Sequence, residues 1–337
     1  MTADVICISE ADATALCHAA LVASNTSDEN AAYVAEALVQ AEADGHGGHG
    51  LSRIPSYTAQ SRVGKVDGFA VPSLEVLRPA AIAVDAGHGF AFPAIALAIP
   101  DLAQRCRSQG IAAAVIRRSH HFGVAGHACE KLAAQGMIAF MFGNAPKSMA
   151  PWGARAPVLG TNPIAFAAPM ADGPPLVIDL ATTSVVRGKI LAARDLGEAI
   201  PEGWALDPDG NPTTDANLAL QGTVAPMGGA KGAALGLMVE VMAACLTGST
   251  LGADATSLFD DQGLPPDLGQ TMLAIDAKAL SGGMYTSRIA ALAGIYHDLD
   301  GARLPGQRRL LAREKAAKEG LAIRSALLEQ IKRIAGA

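Results

Sequence analysis

The side chains best suited to chemistry share one short stretch, Asp44-Gly45-His46-Gly47-Gly48-His49-Gly50-Leu51-Ser52-Arg53, which joins two imidazoles and a guanidinium to four glycines. Histidine exchanges a proton near neutral pH, and the planar arginine fork grips a carboxylate through two parallel hydrogen bonds. His49 and Arg53, four residues apart, would share a face if the stretch were helical and would lie on one loop if it were a turn. Either way the pair suits a small 2-substituted carboxylic acid; an exposed arginine beside a helix-capping histidine fits the same spacing. A second histidine group, His120, His121 and His127, lies in another glycine-containing loop. The H-x-x-H spacing of His46 and His49 raises a competing class, a metal-dependent hydrolase or lyase. No H-E-x-x-H or cysteine-rich spacing supplies the further ligand of a catalytic zinc, so no metal is assigned. His88 and His297 read as structural histidines.

Three further polar turns adjoin strand-like runs, where α/β sites collect their ligands: Ser119-His120-His121-Phe122-Gly123, Gly160-Thr161-Asn162-Pro163, and Asp179-Leu180-Ala181-Thr182-Thr183-Ser184 with Lys189. Neither G-x-x-x-x-G-K-[ST] nor G-x-S-x-G occurs, which argues against a P-loop NTPase and an α/β-hydrolase.

The elements that must position these groups follow from periodicity and punctuation. Gly45, Gly47 and Gly50 spell G-x-G-x-x-G, but that fingerprint needs a strand before it and a helix N-terminus after it. Residues 31–43 instead read as a helix, with Ser27 as N-cap, acidic Asp28 and Glu29 in the first turn and an apolar stripe of Val34, Leu38 and Val39. Gly45 is then a helix C-cap. Residues 1–65 read as all helical, with a capping box at Ser9–Asp12 and a third helix starting near Pro55. From Leu74 onward short β-branched runs at 82–84, 111–116, 138–142, 164–168 and 176–179 alternate with helical stretches at 92–108 and 124–134. Residues 203–215 read as a loop or hairpin, 233–246 as a core helix, 271–275 as a strand, 285–299 as a helix, and 310–334 as one long terminal helix. The ends of the chain thus read as helical and the middle as an α/β or α+β domain, and the long last helix either packs back on the first block or reaches to a second subunit.

Half of the 337 residues are hydrophobic, enough to bury a large core, and the net charge of −6 offers no basic field for nucleic acid. No apolar run approaches the roughly 18 residues of a membrane span and no secretory signal is evident, so the expected place is the cytoplasm. The five cysteines include no C-x-x-C pair and read as small core residues of a reducing compartment.

Taken together, several segments resemble the malate/L-lactate dehydrogenase family, which is unrelated to the Rossmann-type lactate dehydrogenases. That family also holds ureidoglycolate, sulfolactate and diketogulonate oxidoreductases and the Δ1-piperideine-2-carboxylate reductases. The matching pieces are Asp44 to Tyr57 for its D-x-x-x-S-H-G-x-x-R region, Ser119 to Gly126, Ala150-Pro151-Trp152-Gly153 through Pro163, Asp179 to Lys189, Pro226 to Leu246, and Leu304-Pro305-Gly306. They occur in family order over nearly the whole chain. The resemblance implies a homodimer, a non-Rossmann α/β (α+β) nicotinamide domain with a largely antiparallel sheet at 71–279, beside a helical domain made from both ends, 1–70 with 280–337, and it implies His49 as proton donor and Arg53 as carboxylate anchor. It implies NADH or NADPH held by His121, Phe122, Gly123, Thr161, Asn162, the Asp179–Ser184 turn (Asp179, Leu180, Ala181, Thr182, Thr183, Ser184), Lys189, Lys231, Gly232, Pro305 and Gly306. Arg187 is a candidate partner for a 2′-phosphate. Two departures stand out. Gly48 occupies the position of the family's serine before the histidine, and Ala230, Ala233 and Ala234 stand where relatives carry bulkier residues. A site without that serine suits a cyclic 2-imino carboxylate, which brings its own proton on nitrogen, better than a 2-oxo acid whose alkoxide must be protonated. The expected substrates are therefore Δ1-pyrroline-2-carboxylate and Δ1-piperideine-2-carboxylate, with a 2-hydroxy acid as the alternative.

Overall fold

In the computed structural model, which describes residues 4–336, a strand β1 (Val5–Ile8) precedes two helices, α1 (Glu10–Val22) and α2 (Asp28–Ala43). Serines cap both helices. Ser9 Oγ accepts the Asp12 amide at 3.0 Å, Ser27 Oγ accepts the Asn30 amide at 3.2 Å, and acidic residues fill the first turns. Gly45, at φ +79°, follows the end of α2 in the left-handed region. Two tight 3₁₀ turns, Gly47–His49 and Leu51–Arg53, lead into α3 (Ile54–Val63), which begins with Pro55 in its first turn.

The middle of the chain supplies β2 (Ser73–Arg78), β3 (Ala81–Asp85), α4 (Ala91–Gln109), β4 (Ile111–Ser119), α5 (Ala125–Ala133), β5 (Met137–Gly143), β6 (Ile164–Ala168) and β7 (Leu176–Leu180). An excursion follows with α6 (Arg187–Leu196), the two-residue strands β8 (Ala205–Leu206) and β9 (Pro212–Thr213), α7 (Ala216–Gln221) and β10 (Thr223–Val224). The chain then forms α8 (Ala230–Glu240), β11 (Leu268–Asp276), α9 (Ala277–Leu280), α10 (Tyr285–His297), α11 (Gln307–Glu319), β12 (Leu321–Arg324) and α12 (Ser325–Ala335).

Seven strands form one sheet in the order β2-β3-β4-β11-β5-β6-β7. Only β3 and β4 run parallel, joined by α4 as a crossover; every other neighbouring pair is antiparallel, as expected. One face buries Ile82, Ile116, Met141 and Met272 against Leu102 and Cys106 of α4 and Leu132 of α5. On the other face Val239 and Ala243 pack on Phe142. A separate core joins Ala13, Leu38 and Tyr57 to Leu321, Ile323, Leu328 and Ile331, so that both ends of the chain build it. The excursion has a small core of its own around Ile190, Ala205 and Val224.

Four expectations are corrected. The opening block is not all helical, because Val5–Ile8 pairs antiparallel with β12. The terminal helix is broken at Gly320, where φ is +82° and an added Cβ would lie 2.7 Å from the Ile8 carbonyl oxygen; Leu321 and Ile323 then alternate inward along a strand. The 233–246 helix starts at Ala230, turns π-helical over Val241–Cys245, and is buried on one side only: Leu237, Met238, Val241 and Leu246 are exposed. Of the cysteines, Cys17, Cys106 and Cys129 are buried, whereas Cys7 and Cys245 are exposed. Among the described residues no helix is long and apolar enough to cross a membrane.

Candidate active site

The two 3₁₀ turns fix the reactive stretch. Glu42 of α2 reaches forward and accepts the Leu51 amide at 2.9 Å, while the His49 amide donates to the His46 carbonyl at 2.7 Å. Gly50 makes room for that carboxylate, because a Cβ there would stand 2.2 Å from Glu42 Oε2 and 3.1 Å from the Glu42 Cα, so Glu42 would have to move. Gly48 is under no such constraint: its φ is not positive and an added Cβ meets nothing within 4 Å. A serine side chain would have room there, so space does not impose the glycine. Arg53 is aimed by its own Nε, which donates to the Gly48 carbonyl at 2.8 Å, and its guanidinium lies 4.7 Å from the centre of the Phe259 ring. Neither terminal nitrogen of Arg53 is hydrogen-bonded within the described residues, so the fork is free for an external anion.

His49 stacks on His121, with centroids 5.4 Å apart and planes at 21°, and His121 stacks in turn on Phe122. Behind them Tyr57 Oη lies 2.5 Å from His121 Nδ1, and His120 Nε2 lies 2.7 Å from Gln60 Oε1. Burial, reinforced by the Arg53 charge, pushes His49 down to about 3 and His121 well below the usual imidazole range. Burial, then the Lys65 charge, brings His120 down to about 3. All three rings are neutral at pH 7.

The histidines do not converge on one centre. His127 Nε2 bonds Asp44 Oδ2 at 2.9 Å, and among the described residues no three His, Cys, Asp or Glu side chains are grouped to hold a metal. Asp44, at the end of α2, instead anchors an ion cluster in which Arg309 and Arg313 of α11 reach both Asp44 and Glu130 of α5. Burial alone would raise the Asp44 carboxyl, but hydrogen bonds from His127 and Arg313 hold it far below the usual range.

The remaining candidates gather along one edge. Asp179, on β7, accepts the Gly126 amide at 2.7 Å, and Gly306 sits against the Val177 backbone, so α5, β7 and the Pro305–Gly306 turn meet. Thr182 Oγ1 donates to the Thr161 carbonyl at 3.0 Å, and Ser184 Oγ and the Thr183 bridge tie the same turn to Pro226. Gly232 packs against Met227. The His121-Phe122-Gly123 loop lies beside His49, and Gly123, at φ +66°, faces Phe92. Leu180, Lys189, Lys231 and Pro305 are exposed, Ala181 is half-buried, and Ala230 and Ala234 are exposed while Ala233 points inward. Three side chains are committed elsewhere. Asn162 is fully buried, donating to the Gly236 carbonyl and Glu240 Oε2, and Arg187 donates to the Leu220 carbonyl at 2.6 Å. Thr183 Oγ1 likewise turns inward to the Val185 carbonyl.

Three contributors carry no sequence signal. Lys65, whose side chain is fully buried, donates to the Ser257 carbonyl and to the Asp260 carbonyl and carboxylate. With Gln60 Nε2 on the same Asp260 carbonyl, it pins the turn that lays Phe259 over Arg53. Tyr57, read only as the end of a motif, holds His121.

A dinucleotide fits this edge. The amides of Ala230, Lys231 and Gly232 at the first turn of α8 have no acceptor among the described residues, exposed Lys189 and Lys231 carry positive charge, and the His49–His121–Phe122 stack offers flat surfaces. The sequence profile described as Malate/L-lactate dehydrogenase matches residues 8–332. A (2R)-3-sulfolactate dehydrogenase (NADP(+)) of Chromohalobacter salexigens is 47% identical over 326 residues, covering 96% of this chain and 97% of that protein. A Δ1-pyrroline-2-carboxylate/Δ1-piperideine-2-carboxylate reductase of Pseudomonas syringae pv. tomato is 40% identical over 94% of this chain and 92% of its own. The crystal structure of Δ1-piperideine-2-carboxylate reductase from that organism superposes with a TM-score of 0.92, at 38% identity, over 98% of this chain and 99% of that one. The chain therefore belongs to the malate/L-lactate dehydrogenase family and is an NAD(P)-dependent oxidoreductase.

Proposed function

We propose that the chain reduces C2 of a small cyclic 2-imino carboxylate, Δ1-pyrroline-2-carboxylate or Δ1-piperideine-2-carboxylate, to the corresponding cyclic amino acid. The observation that carries this is the pairing, on adjacent tight turns, of a free Arg53 fork with a His49 held neutral. Bound NADPH or NADH supplies hydride to C2. Arg53 grips the substrate carboxylate and so fixes C2. His49, neutral, offers a lone pair to the ring N–H of the protonated imine and orients it, and the nitrogen keeps its proton as the C=N bond becomes a C–N bond. A ketone would instead need His49 to arrive protonated, which its burial and the Arg53 charge oppose. The names of the relatives at 37–40% identity support the imine reading.

The 47% identity to a sulfolactate dehydrogenase favours a second reading, oxidation of a 2-hydroxy acid with neutral His49 as the base that accepts the hydroxyl proton. NAD(P)H consumption with both cyclic imines, 3-sulfopyruvate, pyruvate and oxaloacetate at equal concentration separates the two. We expect the cyclic imines to be preferred; preference for 3-sulfopyruvate transfers the assignment to the second reading, and turnover of none removes both. Arg53→Ala should raise KM by roughly tenfold or more with a smaller change in kcat.

The cofactor set in this proposal is His121, Phe122, Gly123, Thr161, the Asp179–Ser184 turn, Lys189, Lys231, Gly232, Pro305 and Gly306, with Asn162 bracing the set from beneath. Arg187 keeps guanidinium nitrogens beyond the one spent on Leu220, and comparison of NADPH and NADH in Arg187→Ala tests it as the 2′-phosphate partner. The exposed apolar residues Leu237, Met238, Val241 and Leu246 along α8, with Leu292, Ile295 and Leu299 in and just after α10, are assigned to a homodimer interface. The two-part division, 1–70 with 280–337 around 71–279, is supported by the core built from both chain ends, although α10 buries no side chain in it. The free cysteines support a cytoplasmic location.

A further inference from the structure

We propose that Tyr57 is a positioning residue that locks His121 in the tautomer with its hydrogen on Nε2, so that His121 presents a permanent hydrogen-bond donor to the carboxylate of the substrate held by Arg53. The inference rests on the reading of His49 and Arg53 as substrate-facing groups. Its own foundation is a proton count.

Tyr57 is fully buried, and its hydroxyl has one partner among the described residues, His121 Nδ1 at 2.5 Å. A neutral imidazole carries one N–H. If that hydrogen sat on Nδ1, the Tyr57 oxygen would have to accept it, and the phenolic hydrogen would point into the packing of Phe90 and His120 without an acceptor. The arrangement that satisfies both groups has Tyr57 donating to Nδ1, which places the hydrogen of His121 on Nε2. Burial keeps the phenol protonated and His121 neutral, so neither group escapes this choice by ionising. Nε2 has no hydrogen-bond partner among the described residues, yet it is not one of the sealed polar atoms, so it keeps some exposure in the ring that stacks on His49. Arg53 follows His49 on the adjacent tight turn and His49 stacks on His121 at 5.4 Å, so a carboxylate on the Arg53 fork lies beside the same pair of rings. The two stacked rings thus differ in kind: no partner among the described residues fixes the tautomer of His49, and His121 is a fixed donor.

Nitrogen NMR of the apoprotein labelled at histidine reads the tautomer directly, without cofactor or substrate, and so separates failure of this inference from failure of the proposed reaction. The His121 ring should show its hydrogen on Nε2 alone in the wild type and a mixture of both forms in Tyr57→Phe. Steady-state kinetics of Tyr57→Phe with Δ1-pyrroline-2-carboxylate should show its KM raised about tenfold, as for loss of one charge-assisted hydrogen bond, and by more than any change in NADPH affinity. Hydrogen on Nδ1 in the wild type overturns the inference even if the variant fails to fold. So does a Tyr57→Phe enzyme with an unmixed tautomer and an unchanged KM.

Discussion

Asp44 and His49 lie on the same short segment, yet their surroundings are opposite. Asp44 is saturated, with His127, Arg309 and Arg313 all on its carboxylate and Glu130 closing the cluster from α5. His49 and Arg53 are held in place by backbone contacts and aromatic faces, and their reactive atoms are left open. A polar group whose partners all come from the protein can only hold structure. One that is fixed in direction but left without a partner is prepared for something that arrives from outside.

The comparison is broken most directly at Asp44. Asp44→Ala leaves two arginines facing Glu130 alone and should cost about 3–5 kcal/mol in urea unfolding, the range for removing one partner of a buried ion cluster; a cost near zero would mean that the cluster is ornamental. His49→Ala should do the reverse. We expect kcat to fall at least about a hundredfold, because the acceptor that orients the imine N–H is lost, while unfolding free energy and NADPH affinity barely move.

A pH series sharpens the contrast. The fold refuses protons at His120, whose ordinary value of 6.5 is pushed to about 3 by burial and then by Lys65. The unfolded chain accepts them below about pH 6.5, so stability is lost as pH falls from there. Glu42 and Asp179, raised by burial, act in the opposite sense, and a difference measurement cancels them. Relative to His120→Gln, the wild type should lose about 1.4 kcal/mol per pH unit between pH 6 and 4.5. Asp44 itself loses its contribution only as pH falls below its ordinary value of 3.8, and Glu130 below its ordinary value of 4.5, because both folded values are depressed. The smallest effect is expected at Gly48. Gly48→Ser should alter stability by less than about 0.5 kcal/mol, since the site is open. Its readout is specificity: a rise in 2-oxo acid reduction relative to cyclic imine would show the hydroxyl doing what the glycine leaves undone.

The parts of this molecule that were legible in the sequence are those decided locally. Ser9 and Ser27 announce their helices, Gly45 ends one, and the β-branched runs mark β3 through β7. What failed were features decided across the fold. Val5–Ile8 is a strand because β12 lies beside it, and Gly320 breaks a helical pattern because the Ile8 backbone approaches too closely for a side chain. The site divides the same way. His49 and Arg53 stand out by composition, whereas Lys65 looks like a surface lysine until Ser257 and Asp260 close over it, and Phe259 acquires meaning only from Arg53. Asn162, chosen for its neighbourhood, turned inward because Glu240 and Gly236 offered it partners.

The pairing of Val5 with Arg324, and the seat of β11 between β4 and β5, have a consequence for how the chain comes off the ribosome. At about 5–20 residues per second, β1 waits some tens of seconds for the strand that completes its ladder. During that wait Leu21, Leu38 and Tyr57 lack Leu321, Ile323 and Ile331, and β4 and β5 lack the strand that stands between them. The sheet core cannot close before β11 emerges, nor the helical core before β12 and α12 do. A nascent chain stalled before residue 268 exposes apolar faces of both cores at once, which makes the growing chain, far more than the finished enzyme, a client for chaperones.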